Sequence, residues 1–203
     1  MIKNIIFDLG GVLIGWSPKY VYRDLFDTDE EVEWFIDNIC TLAWNEEQDG
    51  GRSIKEATTL LIAEHPKWEK HILAYYDRWS EMLSGPIYKT VDILLEIERQ
   101  SQHRLYALTN WSAELFPIAL AKYDFLNIFR GIIVSGSENL KKPDPAIYNL
   151  LLDRYGIKAE ESLFIDDNLR NIEAADRLGL KVIHFISPTQ LKEDLANRFD
   201  IVL

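Results

Sequence analysis

The sequence predicts an α/β fold: a Rossmann-like parallel sheet with helices on both faces, plus an inserted all-helical cap. Two observations carry this. Short apolar runs that end abruptly in polar residues recur at Ile5-Ile6-Phe7, Leu105–Leu108, Gly131–Val134, Ser162–Ile165 and Lys181–Phe185, and helical-period segments separate them. Runs of this length read as strands buried on both faces, and their alternation with helices is the pattern of a covered parallel sheet. In addition, residues 16 to 84 read as a succession of helical segments and hold five of the six tryptophans.

Taken in order, Ile5-Ile6-Phe7 delivers Asp8 to the carboxyl end of the first strand, followed by Gly10-Gly11. In open α/β sheets that edge is where ligands bind. Trp16-Ser17-Pro18 then breaks the pattern. Thr28-Asp29-Glu30-Glu31 is a capping box ahead of Val32, Phe35, Ile36 and Ile39 at helical spacing. Ser53-Ile54-Lys55-Glu56 reads as a second box, before Ala57, Leu60 and Leu61. A third helix is expected to carry Trp68, Ile72, Tyr75, Tyr76 and Trp79. This unit reads as having its own aromatic core. Ser84-Gly85-Pro86 closes it, and a helix with Ile87, Val91, Leu94 and Leu95 on one face follows. Further helices are expected over Ala146–Tyr155 and Leu169–Leu178. The expected domains are 1–15 with 85–203 for the core and 16–84 for the cap, hinged near Gly15-Trp16 and Ser84-Gly85-Pro86.

The formal net charge of -11 argues against nucleic acid as a partner, and any phosphate site needs a locally positive pocket. One cysteine, Cys40, excludes an internal disulfide and reads as a small core residue. No signal pattern and no apolar run of spanning length is present, so a cytoplasmic protein with no membrane partner is expected. Monomer and homodimer remain open.

Polar residues gather where the strands stop: Asp8, Thr109 and Asp166-Asp167 directly after buried runs, and Lys142 in the loop Lys141-Lys142-Pro143-Asp144-Pro145. A parallel sheet brings them to one edge. Carboxylates held close repel unless a cation neutralises them, and all-oxygen ligands suit Mg²⁺. Singly, Asp166, Asp167 or Thr109 also suits a helix cap and Lys142 a solvated surface position, as Lys141 does. Their coincidence at four strand ends favours chemistry.

Phe7-Asp8-Leu9-Gly10-Gly11-Val12-Leu13, Leu108-Thr109-Asn110, Lys142-Pro143-Asp144-Pro145 and Phe164-Ile165-Asp166-Asp167-Asn168 resemble, in order, the four motifs of the haloacid dehalogenase (HAD) superfamily. The nearest likeness is to its small phosphatases, among them sugar-1-phosphate phosphatases and the N-terminal phosphatase domain of epoxide hydrolases. The resemblance implies a HAD-like core and an Mg²⁺-dependent phosphatase acting on a small phosphorylated metabolite. It makes Asp8 the nucleophile that becomes an aspartyl-phosphate. Thr109 and the Asn110 amide would hold phosphate oxygens, and Lys142 would bridge nucleophile and phosphate. Asp167, Asp8 and the Gly10 carbonyl would bind the metal, with Asp166 holding its waters or binding it. Asn171 would orient the metal loop, and Trp111 would line the pocket or anchor the loop to the cap.

Two positions depart from the family pattern. Gly10 stands where these phosphatases usually carry a second aspartate, the group that protonates the leaving oxygen. General acid–base catalysis is worth about 10² to 10⁴-fold, so a good leaving group, such as the anomeric oxygen of a sugar 1-phosphate, is the expected substrate feature. Asn139 replaces a usual glycine and tolerates the left-handed conformation. The turn Gln48-Asp49-Gly50-Gly51-Arg52 is expected either to reach into the site or to serve only as a helix-to-helix turn, with Arg52 binding substrate or pairing with Asp49. Two other readings stand beside the phosphatase: a 2-haloacid dehalogenase, and a non-catalytic binding or regulatory module.

Overall fold

The computed structural model describes residues 1–203. Five parallel strands form the main sheet in the order β5-β4-β1-β6-β7: β1 (Asn4–Phe7), β4 (Arg104–Thr109), β5 (Gly131–Val134), β6 (Ser162–Asp166) and β7 (Lys181–His184). The remaining strands, β2 (Ile14–Trp16) and β3 (Leu83–Pro86), pair antiparallel as a separate ribbon. Asn4 to Phe7 are wholly buried, as expected of the central strand. The chain builds outward from β1 through β4 to β5, then crosses back to β6 on the other side. Asp8 and Asp166 therefore end adjacent strands where the winding reverses, the place where such sheets bind ligands.

The helices follow in chain order: α1 (Lys19–Tyr22), α2 (Asp29–Asn38), α3 (Leu42–Asp49), α4 (Ile54–Glu64) and α5 (Glu69–Asp77) between β2 and β3, then α6 (Tyr88–Gln100), α7 (Phe116–Lys122), α8 (Ser135–Glu138), α9 (Pro145–Tyr155), α10 (Leu169–Arg177) and α11 (Pro188–Phe199). Strand alternation assigns the two faces. Ile6, Tyr106, Leu108 and Phe164 pack with Ile147 and Leu151 of α9 and Ile172 of α10. Ile5, Phe7, Leu105 and Leu163 belong to the other core, with Leu94 of α6 and Leu191 of α11.

Several local expectations change. Thr28 does form the full capping box, whereas Ser53 accepts the Glu56 amide without the return bond. Trp68 and Trp79 lie in 3₁₀ turns that flank α5, because Pro66 starts one turn and the chain bends at Arg78. The aromatic residues of the inserted helices do not form a separate core. Tyr22, Phe35 and Tyr75 belong to one continuous buried cluster with Ile5 and Phe7 of the sheet. Cys40 is buried there, as expected. Gly85 has φ +103°, a conformation that other residues rarely adopt, so the ribbon needs glycine there. No helix is long and apolar enough to cross a membrane.

Candidate active site

The centre of the site is an ion-paired trio. The Lys142 ammonium, with its side chain fully buried, donates to Asp166 Oδ2 at 2.7 Å and to the Leu108 carbonyl at 2.9 Å, and lies 3.0 Å from Asp8 Oδ1. Asp8 Oδ1 also accepts the Leu9 amide at 2.7 Å, and no protein donor reaches its Oδ2. Burial drives the Asp8 carboxyl upward; Lys142 opposes this, and Asp166 and Asp167 add to it. Lys142 is driven down by burial but held charged, above its usual range, by the two aspartates.

The acidic pair divides its labour. Asp166 is fully buried and both its oxygens are taken: Oδ1 by the Asn168 amide (2.8 Å) and Asn171 Nδ2 (3.0 Å), Oδ2 by Lys142 and Asn171 Nδ2 (3.1 Å). Asn171 thus orients Asp166, while Asn168 caps α10 through its side chain. Asp167 instead borders the cavity, and burial followed by the Asp166 charge raises its carboxyl. Gly11 makes room for it. At φ +73°, a Cβ there would sit 2.2 Å from Asp167 Oδ2. One oxygen from each of Asp8, Asp166 and Asp167 fits within 4.8 Å of the others. Three carboxylates facing one ammonium form a hard, all-oxygen donor set that fits a divalent cation.

Thr109 and Asn110 have separate functions. Thr109 is buried at the end of β4, and its Oγ1 has no protein partner. The Asn110 side chain pins the Lys142 backbone reciprocally: Nδ2 donates to the Lys142 carbonyl at 2.9 Å, and Oδ1 accepts the Lys142 amide at 2.8 Å. That side-chain role was not visible in the sequence. Asn139 sits at φ +53°, the left-handed conformation expected of it.

Above the trio lies a cavity of about 340 Å³ that reaches from Asp8, Gly10 and Lys142 to α3. Trp16, Trp79 and Trp111 form its aromatic wall, with Trp79 edge-on to Trp111 at 5.5 Å. Trp111 therefore does both things expected of it. Asn45, Glu46 and Asp49 of α3 line the same cavity. The 48–52 turn reaches the site at Asp49 and is docked, not loose. The Ser135 hydroxyl donates to the Asp49 carbonyl, and a Cβ on Gly51 (φ +109°) would strike Asn139 Oδ1 at 2.1 Å. Arg52 turns away and donates to Gln48 Oε1 and the Trp44 carbonyl, so the expected Asp49 pairing is absent. Lys141 is not a free surface lysine: it bridges to α3 through Glu47 at 2.8 Å and the Glu46 carbonyl.

Residues 2–179 match the model of the haloacid dehalogenase-like hydrolase family. A phosphoglycolate phosphatase of Aliivibrio fischeri is 30% identical over 189 residues, covering 88% of this chain and 81% of that one. A sesquiterpene phosphatase of Aspergillus oryzae is 27% identical over 182 residues, covering 90% and 89%. A drimenol cyclase of Aspergillus calidoustus is 26% identical over 98% of this chain, which spans only 37% of that protein's length. Among solved structures, a HAD family enzyme of Bacteroides thetaiotaomicron in complex with magnesium and inorganic phosphate superposes with a TM-score of 0.67 at 25% identity, covering 90% of this chain and 93% of that one.

Proposed function

The chain belongs to the haloacid dehalogenase-like hydrolases, and on that premise we propose that it is an Mg²⁺-dependent phosphatase of small phosphate monoesters. The observation that carries this is the buried Asp8–Lys142–Asp166 trio with Asp167 beside it, at the floor of a cavity. Asp8 Oδ2, which no protein donor holds, attacks phosphorus while Lys142 fixes the other oxygen. The unpartnered Thr109 hydroxyl and the Asn110 amide receive phosphate oxygens. Asp8, Asp167 and the Gly10 carbonyl would hold Mg²⁺, and Asp166 would serve this set by keeping Lys142 charged and in place. The bound cation supplies charge neutralisation at the transferring phosphoryl oxygens. Relatives named as phosphatases, and a structural neighbour holding magnesium and phosphate, support the reading.

In this reading, residues 16–84 are the lid and residues 1–15 with 85–203 the catalytic core. For the substrate we propose a sugar 1-phosphate or an ester of similar size, its ring against the tryptophan wall and its hydroxyls toward Asn45 and Glu46. Attack on a halogenated carbon would leave the acidic Asp167 without a task, and a purely binding module would leave the buried trio without one.

The test is hydrolysis of p-nitrophenyl phosphate, lost with EDTA and restored by Mg²⁺. Asp8→Asn is expected to fold and to be inactive; turnover by that variant would sink the nucleophile assignment. Hexose 1-phosphates compared with 6-phosphates then test the substrate class, and equal or reversed preference counts against it.

A further inference from the structure

Gly10 supplies no proton to the leaving oxygen, and no substitute arises from the core. Asp166 has both oxygens bonded, Asp8 is the nucleophile and Asp167 belongs with the metal. The remaining carboxyls on the cavity wall are Glu46 and Asp49, both from α3. Glu46 is paired with Arg170 at 3.0 Å. Asp49 makes no salt bridge: its Oδ2 accepts from Asn45 Nδ2 at 3.0 Å.

We propose that Asp49 is the general acid of this enzyme, donating its carboxyl proton to the leaving oxygen of the ester from the α3 wall of the cavity. The proposal rests on the phosphatase reading above. As the Asp8 Oδ2–P bond forms and the P–O bond to the alcohol breaks, the Asp49 proton passes to that oxygen and the alcohol leaves neutral. Water then attacks the aspartyl-phosphate, and its proton returns to the Asp49 carboxylate, which restores both groups.

The position suits an acid that must hold its proton near neutral pH. Asp49 is the last residue of α3, where the helix dipole disfavours a negative charge. Burial raises its carboxyl to about 7, Glu46 adds to this, and the Ser112 amide, Lys141 and Lys142 oppose it. The other titratable groups packed nearby, Tyr75 and Tyr76, stay neutral, since burial raises both hydroxyls far beyond the physiological range. The carboxyl is also held firmly. The Asn45 side chain that donates to it accepts from Tyr76 Oη at 3.2 Å, and the Asp49 carbonyl takes the Ser135 hydroxyl. Positioned acid catalysis is most valuable where geometry is fixed and the pKa lies near the working pH.

The experiment compares kcat/KM of wild type and Asp49→Asn on two esters: an alkyl phosphate, whose alkoxide leaves poorly, and p-nitrophenyl phosphate, whose phenolate needs little help. kcat/KM reports the step in which the alcohol departs. The alkyl ester is expected to lose about 10² to 10³-fold, and at least about 10-fold more than the aryl ester. Equal losses on both, or no loss, would overturn the assignment of Asp49. If wild type turns over neither ester, the phosphatase reading fails instead. A measurement on wild type alone guards against a variant that does not fold. From about pH 6 to about pH 9 the alkyl rate should fall relative to the aryl rate as Asp49 ionises; a constant ratio refutes the proposal.

Discussion

Lys142→Met strands two carboxylates at once. In the wild type the ammonium lies 2.7 Å from Asp166 and 3.0 Å from Asp8 with its side chain at 0% exposure. At an effective dielectric near 20, each contact is worth about 6 kcal/mol of Coulomb attraction, much of it offset by desolvation. Breaking a buried pair by removing one partner typically costs about 3–5 kcal/mol. For a domain of this size, 1 kcal/mol moves Tm by roughly 2–4 °C, so a drop of about 6–20 °C is expected. The pH dependence has a definite sign. Burial already pushes the Asp8 carboxyl up to about 8 in the folded chain, against an ordinary value of 3.8. Without Lys142 the folded state binds still more protons than the unfolded one, so stability falls as pH rises between these values. The deficit therefore grows as pH rises through and beyond about 8, where the wild-type Asp8 ionises and the variant's carboxyl does not, and Mg²⁺ recovers part of it. Thermal unfolding of both proteins from below about pH 7 to above about pH 9, with and without Mg²⁺, measures this. A deficit that is absent, or that does not change with pH, would refute the claim that Lys142 balances this charge cluster.

Three further outcomes follow from the site. Gly11→Ala forces a methyl to within 2.2 Å of Asp167 Oδ2 at φ +73°, so the Mg²⁺ concentration for half-maximal activity should rise about 10- to 100-fold, as when a ligand's support is lost; an unchanged titration would clear Gly11 of that role. Gly10 has no atom within 4 Å of an added Cβ, so Gly10→Asp should fold and, placed in Asp49→Asn, recover at least about 10-fold of the lost alkyl-ester kcat/KM; no recovery would mean that a carboxyl there cannot reach the leaving oxygen. Asn110→Ala removes both bonds to the Lys142 backbone and should cost about 1–3 kcal/mol in urea unfolding while raising KM. A KM equal to wild type would separate the loop's stability from substrate binding.

The sheet was legible because a strand covered on both faces must be a nearly continuous apolar run, so each run marked its own end. Asp8, Thr109 and Asp166 announced themselves by following such runs directly. What stayed hidden depends on partners distant in sequence. Asp166 reads as a metal ligand by its neighbour, and its bond to Lys142, 24 positions away, is one that no spacing encodes. The Asn110 side chain meets the Lys142 backbone across 32 positions. Lys141 looked solvated because nothing local pairs with it; Glu47 does so from 94 residues away. Trp68 and Trp79 fit the helical period of α5, but Pro66 and the bend at Arg78 ended the helix within that pattern. Asp49 was visible only as part of a turn. Its meaning came from the docking of α3 over the trio.

The net charge of -11 repels, at long range, the anionic ester that the proposed activity requires. The resolution is local, and it rests on the different surroundings of the two aspartates of the last motif. Asp166 spends its charge on Lys142, which keeps a buried ammonium protonated at the strand ends. That leaves Asp8 and Asp167 on the cavity side, where they would share a divalent cation. On the phosphatase reading, an anionic phosphate entering this cavity meets two carboxylates and a lysine already paired with Asp166, so a bound divalent ion would supply the charge that receives it. The buried lysine cannot do so alone, because every increment of positive character it offers is shared with Asp166. On the phosphatase reading, phosphate affinity should therefore fall when Mg²⁺ is removed, and phosphate binding measured with and without EDTA tests it; an affinity unchanged by EDTA would count against it.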